Sequence, residues 1–326
     1  MSDKVGLSTW PTPLEPMPRL AAALGLGGDD LWVKRDDLTG LGGGGNKVRK
    51  LERIIAAALG EGADTLVTTG AAQSNHARLT AAAGARLGLE VVLVFPGAPG
   101  SAAGGSGNLV LDGLFGARIF WAGDGAPSAL ADVAEEVCRR LRGEGARPYL
   151  IPFGGSSPLG ARGYADCGAE LQAQLPDADH VVVALGSGGT MAGLVGALGE
   201  RRVLGVHCGA VGDPAGTVAG LAGAITGRSV LVNSLRIRTD QVGAGYGVLH
   251  EPVLEAMRTA ATSEGLVLDP VYSGRAMAGL LAAVREGDIR RGERIVFLHT
   301  GGLPGLFGHT ETVHRTVTAL RSYEAD

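Results

Sequence analysis

The sequence predicts an α/β fold in which mostly parallel, twisted sheets are covered by helices. Two observations predict it. Short runs rich in Val, Leu and Ile alternate with Ala-rich stretches of helical length, and each parallel strand needs a crossover of that kind. The chain also has 326 residues, 45% of them hydrophobic, which suffices for one large domain or two moderate ones with buried cores.

In chain order, a helix is expected at Asn46 to Leu59, then a strand at Thr65 to Thr69 (TLVTT) and a helix at Asn75 to Leu87. A strand at Glu90 to Phe95 (EVVLVF) and one at Ala117 to Trp121 follow, then a helix at Pro127 to Arg142 and a strand at Tyr149 to Pro152. Beyond these come a helix at Gly160 to Leu175, a strand at His180 to Leu185 (HVVVAL), a helix at Thr190 to Leu198 and a strand at Val203 to His207. Helices at Glu251 to Glu264 and Gly274 to Arg285 precede a last strand at Arg294 to His299. The longest loop, Gly97 to Asn108, is rich in Gly and Ser; loops of this length cover a site or are simply mobile. No repeat of 20–50 residues is visible, so a solenoid is not expected.

Composition narrows the function. The 55 glycines are scattered among apolar stretches, which excludes collagen-like and low-complexity readings. A formal charge of −4 with both signs interspersed leaves no footprint for nucleic acid or an anionic membrane. A small ligand, anionic or not, is compatible. Cys138, Cys167 and Cys208 form no CxxC and are odd in number, so a reducing, cytoplasmic setting is expected and not a disulfide framework. The first residues, MSDKVGLSTWPTP, lack the uninterrupted apolar segment of a signal peptide, and no membrane span is expected.

Four segments carry chemistry. In WVKRDDLTGLGGGGNKVRKLE, Trp32 to Glu52, an apolar strand and a polar turn lead to four glycines and then to Asn46 and Lys47 opening a helix. The glycines let the backbone pass close to something flat or phosphorylated. A lysine at a helix start opposes the macrodipole, and that field together with burial lowers its pKa toward the neutral amine a Schiff base requires. A solvated surface lysine is the competing reading. A P-loop is not, because Asn46 separates Gly45 from Lys47 and Val48 follows.

In TTGAAQSNHAR, Thr68 to Arg78, the polar run Gln73, Ser74, Asn75 and His76 sits where a strand gives way to a helix. Capping explains one of these residues, and a ligand-binding crest at the strand's carboxyl end explains all four. In VVVALGSGGTMAG, Val181 to Gly193, the loop Gly186, Ser187, Gly188, Gly189, Thr190 follows a buried strand and opens a helix. Converging N–H groups with the two hydroxyls form a phosphate cup. A dinucleotide fingerprint fails, since Met191 stands where its third glycine belongs. The fourth set is GAGYGV around Tyr246, DPVYSGRAM around Tyr272 and Ser273, and FLHTGG from Phe297 to Gly302. The two Gly-flanked tyrosines are candidate ring partners or proton donors, against the commoner core role. For His299 a satisfied core histidine is the favoured reading. No Cys/His cluster has the spacing of a metal site, and none is expected.

These segments, in this order, resemble the tryptophan synthase β-like group of pyridoxal phosphate enzymes (fold type II). More narrowly they resemble the branch containing 1-aminocyclopropane-1-carboxylate deaminase, D-cysteine desulfhydrase and L-cysteate sulfo-lyase. The resemblance runs from TPLEP near Thr12 through KRDD, GGNK, QSNHAR, FGGSSPLGARGY, GSGGT, GYGV, LDPVYSG and HTGG. It implies two domains, each a mostly parallel twisted sheet covered by helices: a larger cofactor-binding one of residues 1–51 and 156–326, and a smaller inserted one of residues 52–155. It implies pyridoxal 5′-phosphate bound through Lys47, which also shuttles protons. Asn75 is then the partner of the cofactor's phenolic oxygen, and Gly186, Ser187, Gly188, Gly189 and Thr190 hold its phosphate. Ser74 lies against the substrate carboxylate or moves a proton, with Gln73 and His76 beside it, and Tyr246 and Tyr272 flank substrate and ring. A homodimer is the family-level expectation, with a small amino acid as substrate.

Within the resemblance, ring-opening deaminases have Glu directly after the second tyrosine and Leu after the terminal histidine. Here those positions are Ser273 and Thr300, one of which is expected to face the pyridine nitrogen. A hydroxyl does not protonate that nitrogen as a carboxylic partner does, and a weaker electron sink suits loss of a good leaving group. The expected reaction is therefore α,β-elimination, foremost from D-cysteine to pyruvate, sulfide and ammonia. Sulfite loss from L-cysteate and cyclopropane ring opening are the rivals, and a non-catalytic pyridoxal phosphate-binding homologue is the alternative from another class.

Overall fold

A computed structural model describes residues 3–99, 105–124 and 129–320. The N-terminal part contributes β1 (Leu14–Pro16), α1 (Pro18–Ala23), β2 (Leu31–Lys34) and α2 (Lys47–Gly60). Next come β3 (Thr65–Thr69), α3 (Asn75–Leu87), β4 (Glu90–Phe95), α4 (Asn108–Leu114), β5 (Arg118–Trp121), α5 (Leu130–Gly143) and β6 (Pro148–Ile151). The chain continues with α6 (Pro158–Gln174), β7 (His180–Leu185), α7 (Gly189–Leu198), β8 (Val203–His207), α8 (Pro214–Thr226) and β9 (Arg236–Arg238). It closes with α9 (Glu251–Glu264), α10 (Ser273–Arg285), β10 (Ile295–Leu298), α11 (Leu303–Phe307) and α12 (Thr310–Val317).

Two sheets result. The larger has the order β1-β2-β10-β7-β8-β9 and the smaller β5-β4-β3-β6. Every pairing is parallel except β1 with β2. Parallel sheets bury both faces, which is why their strands read as unbroken apolar runs. Along β7, Val182 and Ala184 face one buried cluster while Val181, Val183 and Leu185 face another. In the smaller sheet Leu66 and Val67 divide in the same way between two further clusters.

Six of the expected elements, β3, β4, β7, β8, α3 and α9, have the observed bounds, and six more, α2, β5, β6, α7, α10 and β10, lie within one residue of them at each end. Others shift by more: α5 begins at Leu130, and Pro127, where its start is expected, lies outside the described residues, as do residues 100–104 of the Gly97 to Asn108 loop. The edge strands β1 and β9, and helices α1, α4, α8, α11 and α12, are not among the expected elements.

The strand ends decide where chemistry can occur. β3, β7 and β10 are followed by the QSN, GSGG and HTGG segments respectively. Ligands of open parallel sheets bind beyond such carboxyl ends. The α2 start, reached through the four glycines, brings Lys47 to the same place. Here Gly44 has φ 73° and a Cβ would sit 2.0 Å from the Asp37 carbonyl oxygen, so only glycine passes.

Candidate active site

One cleft receives the ends of these elements. Its border takes Asn46 and Lys47 from the start of α2, Ser74, Asn75 and His76 from the start of α3, and Phe153 and Gly154 from the turn after β6. Gly186, Ser187, Gly188 and Thr190 come from the β7–α7 loop, Tyr272 from the residue capping α10, and Thr300 from beyond β10. Ten of the residues singled out from sequence are therefore assembled: Lys47, Ser74, Asn75, His76, Gly186, Ser187, Gly188, Thr190, Tyr272 and Thr300.

Lys47 donates to Gly154 O at 3.3 Å. Burial lowers its pKa to about 8, which puts a substantial neutral fraction within reach near physiological pH. Beside it stands a lysine that the sequence reading passes over. Lys50, one turn on, is fully buried and donates to Gly154 O at 3.2 Å and Ser156 Oγ at 3.0 Å. Burial and the neighbouring Lys47 push its pKa well down. In sequence it looks like any solvated helix lysine; only its place beneath the glycine loop distinguishes it.

That loop has the shape of an anion cradle. Gly188 has φ 87°, and a Cβ on Gly189 would lie 2.8 Å from Ser156 Oγ and 2.9 Å from Lys50 Nζ. Ser156 Oγ and Ser187 Oγ are 2.8 Å apart, and Gly189 N donates to Ser156 Oγ at 3.2 Å. A Cβ on Gly154 would lie 2.2 Å from Ser187 Oγ. Free helix N–H groups, hydroxyls and a buried lysine amine whose hydrogen bonds go to neutral oxygens together favour an anion such as phosphate, which would restore the amine's charge. Thr190 Oγ1 accepts from Asn46 Nδ2 at 3.0 Å, joining the loop to the start of α2.

The α3 end is equally ordered. Ser74 Oγ caps the helix by accepting from Ala77 N at 3.1 Å. Asn75 Oδ1 accepts from Asn108 Nδ2 at 3.0 Å, which leaves the Asn75 amide nitrogen as the group to donate into the cleft. His76 bonds Thr68 Oγ1 through Nε2 at 2.9 Å, its Nδ1 is buried without a partner, and burial with the two lysines pushes its pKa well below the usual value. It is a neutral imidazole.

Four other sequence candidates lie elsewhere. Gln73 is spent on the loop before α4, donating to Ser106 O at 2.9 Å and accepting from Asn108 N at 2.9 Å. Ser273 is fully buried and donates to Asp269 Oδ1 at 2.6 Å, so its hydroxyl is committed away from the cleft. Gly189 belongs to the cradle loop but does not border the cleft, and its N–H is turned to Ser156 Oγ. Tyr246 stands at the rim, its hydroxyl 2.6 Å from that of Tyr272. Burial, then the adjacent Tyr246, raises the Tyr272 pKa well above the ordinary phenol. His299 is a satisfied core residue: Nδ1 accepts from Gly301 N and Nε2 faces Val267 O at 3.1 Å.

Comparison with known proteins accords with this arrangement. A family model described as pyridoxal-phosphate dependent enzyme matches residues 5–301. The chain is 42% identical over 324 residues to a Pyrococcus abyssi protein named "Putative 1-aminocyclopropane-1-carboxylate deaminase", covering 94% of each chain. It is 41% identical over 316 residues to a D-cysteine desulfhydrase of Klebsiella pneumoniae, covering 92% of this chain and 94% of that one. A solved structure described as an ACC deaminase homologue superposes with a TM-score of 0.86 at 37% identity, over 96% of this chain and 95% of the other.

Proposed function

We propose that this chain, which belongs to the family of pyridoxal-phosphate dependent enzymes, is a lyase acting by α,β-elimination on a small β-substituted amino acid. D-cysteine, giving pyruvate, sulfide and ammonia, is the foremost substrate. The observation that carries the reading is Thr300 on the border of the cleft, a hydroxyl where the ring-opening deaminases carry leucine, just as Ser273 stands where they carry glutamate. The names of the Pyrococcus relatives support a second reading, ring opening of aminocyclopropane carboxylate.

When bound, the cofactor supplies an electron sink for charge developing at the substrate's Cα. Lys47 holds it and carries the Cα proton on Nζ, a task suited to an amine with a pKa of about 8. Gly186, Ser187, Gly188, Gly189 and Thr190, with Lys50 beneath, bind its phosphate. Asn75 donates to its phenolic oxygen. Ser74 and the N-terminus of α3 bind the substrate carboxylate, since backbone N–H groups and the helix dipole both favour an anion there. Tyr246 and Tyr272 flank the substrate, and the neutral His76 completes the wall. Gln73 serves the site indirectly by fixing the Ser106 to Asn108 loop.

The same reading divides the chain into a larger cofactor-binding domain (1–51 and 156–326) and a smaller inserted one (52–155). It takes the assembly to be a cytoplasmic homodimer; light scattering of the purified holoenzyme and fractionation of the source cells test these two points. Among the described residues no helix is long and apolar enough to cross a membrane.

The deciding experiment incubates holoenzyme with D-cysteine, L-cysteine, L-cysteate and aminocyclopropane carboxylate, scoring pyruvate, sulfide, sulfite and 2-oxobutyrate. Pyruvate and sulfide from cysteine are expected. Dominant 2-oxobutyrate from the cyclopropane substrate would overturn the elimination reading.

A further inference from the structure

A second chamber opens off the cofactor cleft, sharing Ser74, Phe153 and Tyr272 with it. Its volume is about 540 Å³, which is the size of a site for a sizeable organic group. A thiol, by contrast, needs little more than the ~30 Å³ that one water takes in the liquid. The walls are apolar: Pro96, Leu130, Ala131, Phe153, Ala210 and Val211 supply most of them. Polar atoms come from Thr69, Ser74 and the Tyr246 and Tyr272 hydroxyls, and the last two already bond each other at 2.6 Å. Among the described residues no lysine, arginine or histidine borders the chamber.

On the placement proposed above, with the substrate carboxylate at Ser74 and its Cα at Lys47, the β-substituent would extend past Ser74 and Tyr272, which border both spaces, into this chamber. A sulfonate there loses water and meets no cation, which is costly. An alkyl or aryl group there gains roughly 25 cal/mol for each Å² removed from water. We infer that the chamber receives a bulky apolar group carried on sulfur, so that the enzyme cleaves S-alkyl and S-aryl cysteines in preference to sulfonated ones. The inference rests on the elimination reading above.

The step balances without an oxidant or reductant. The Cα–H bond breaks, its electron pair becomes the Cα–Cβ double bond, and the Cβ–S bond breaks as sulfur leaves with that bond's pair as a thiolate, which takes up a proton. Water then converts the released 2-aminoacrylate to pyruvate and ammonium.

The test compares cysteine with its S-methyl, S-butyl and S-benzyl derivatives, both enantiomers of each, on the holoenzyme. Pyruvate and free thiol report turnover, and calorimetric titration reports affinity. Both kcat/KM and affinity are expected to rise at least tenfold from S-methyl to S-benzyl. Ala210→Phe, which fills the chamber, should erase the rise, and Val211→Phe gives an independent closure should the first variant fold poorly. Pyruvate from cysteine with no gain in rate or affinity along the series overturns this inference alone. Pyruvate from none of the compounds overturns it together with the elimination reading.

Discussion

Lys47 and Lys50 are three residues apart on one helix face, and both reach Gly154 O. Burial is the main cause that lowers both: Lys47 lowers the Lys50 pKa further, whereas Lys50 as a hydrogen-bond partner offsets part of the burial effect on Lys47. With Lys47 lowered to about 8, its neutral form dominates above that pH, whereas an ordinary lysine stays charged to about 10.4. In the cofactor-free protein, Lys47 should therefore react with an amine-directed reagent with a midpoint near pH 8; a midpoint above 10 would remove the basis for its role as a proton carrier. Lys47→Ala should abolish turnover and the cofactor's long-wavelength absorbance together. Ser273 presents the opposite case. Its hydroxyl is buried against the Asp269 carboxylate, which also accepts from the backbone N–H groups of Val271, Tyr272 and Ser273. A hydrogen bond to a charged group contributes about 1.5–3 kcal/mol, so Ser273→Ala should lower unfolding free energy by about that much in denaturant titrations. Thr300→Val, on the cleft, should leave stability within about 1 kcal/mol of the parent and instead alter the absorbance of the bound cofactor.

At the level of elements, α7 begins so close to Ser156 and Lys50 that a side chain at position 189 must displace their polar ends. A methyl there would stand 2.8 Å from Ser156 Oγ and 2.9 Å from Lys50 Nζ, forcing Lys50 to retreat from the cradle. Gly189→Ala should weaken cofactor affinity at least tenfold, measured by absorbance titration of the apoenzyme, while the sheet beneath it still folds. This glycine was legible in the sequence because strand, glycine loop and helix occur in immediate succession. Long buried strands were legible for a related reason: in β4 and β7, five of the six residues are buried, so aliphatic side chains run without a break. β1 and β9 have three residues each and none is fully buried, so edge strands of this kind leave no apolar run to find. Helix α8, PAGTVAGLAGAIT, is apolar nearly all round and rich in glycine, which blurs the 3.6-residue period. The burial of the Ser273 hydroxyl against Asp269 was not legible, because sequence adjacency to Tyr272 says nothing about which way a helix-start hydroxyl turns.

The whole molecule is tied together beneath the site by one buried charge network. Asp36, after β2, is fully buried; it accepts from Arg49 Nε of α2 at 2.8 Å and from Tyr164 Oη of α6 at 2.6 Å. Arg49 also reaches Glu170 of α6 at 2.8 Å, and Lys34 of β2 reaches the same carboxylate at 2.8 Å. The guanidinium stacks 4.0 Å over Trp10. The network thus joins the larger sheet to the helix that carries Lys47. Burial alone would raise the Asp36 pKa, but the Arg49 charge and the hydrogen bonds from Arg49, Tyr164 and Thr12 hold it below the usual carboxylate value. Glu170 is likewise lowered against its own burial by Arg49 and Lys34. For a carboxylate whose folded pKa is depressed, the unfolded chain binds more protons as pH falls. The contribution is therefore complete at neutral pH, begins to fade near the unfolded carboxylate range of about 4, and is lost as pH drops through the folded values. Removing the cation leaves Asp36 buried and uncompensated, a loss of about 3–5 kcal/mol for pairs of this kind. Arg49→Met should thus lower stability by about that amount at pH 7 and move the acid-unfolding midpoint upward. It should also weaken cofactor binding although Arg49 does not border the cleft, because the orientation of α2 depends on it. An acid-unfolding curve unchanged from the parent would show that α2 is held by its apolar face alone.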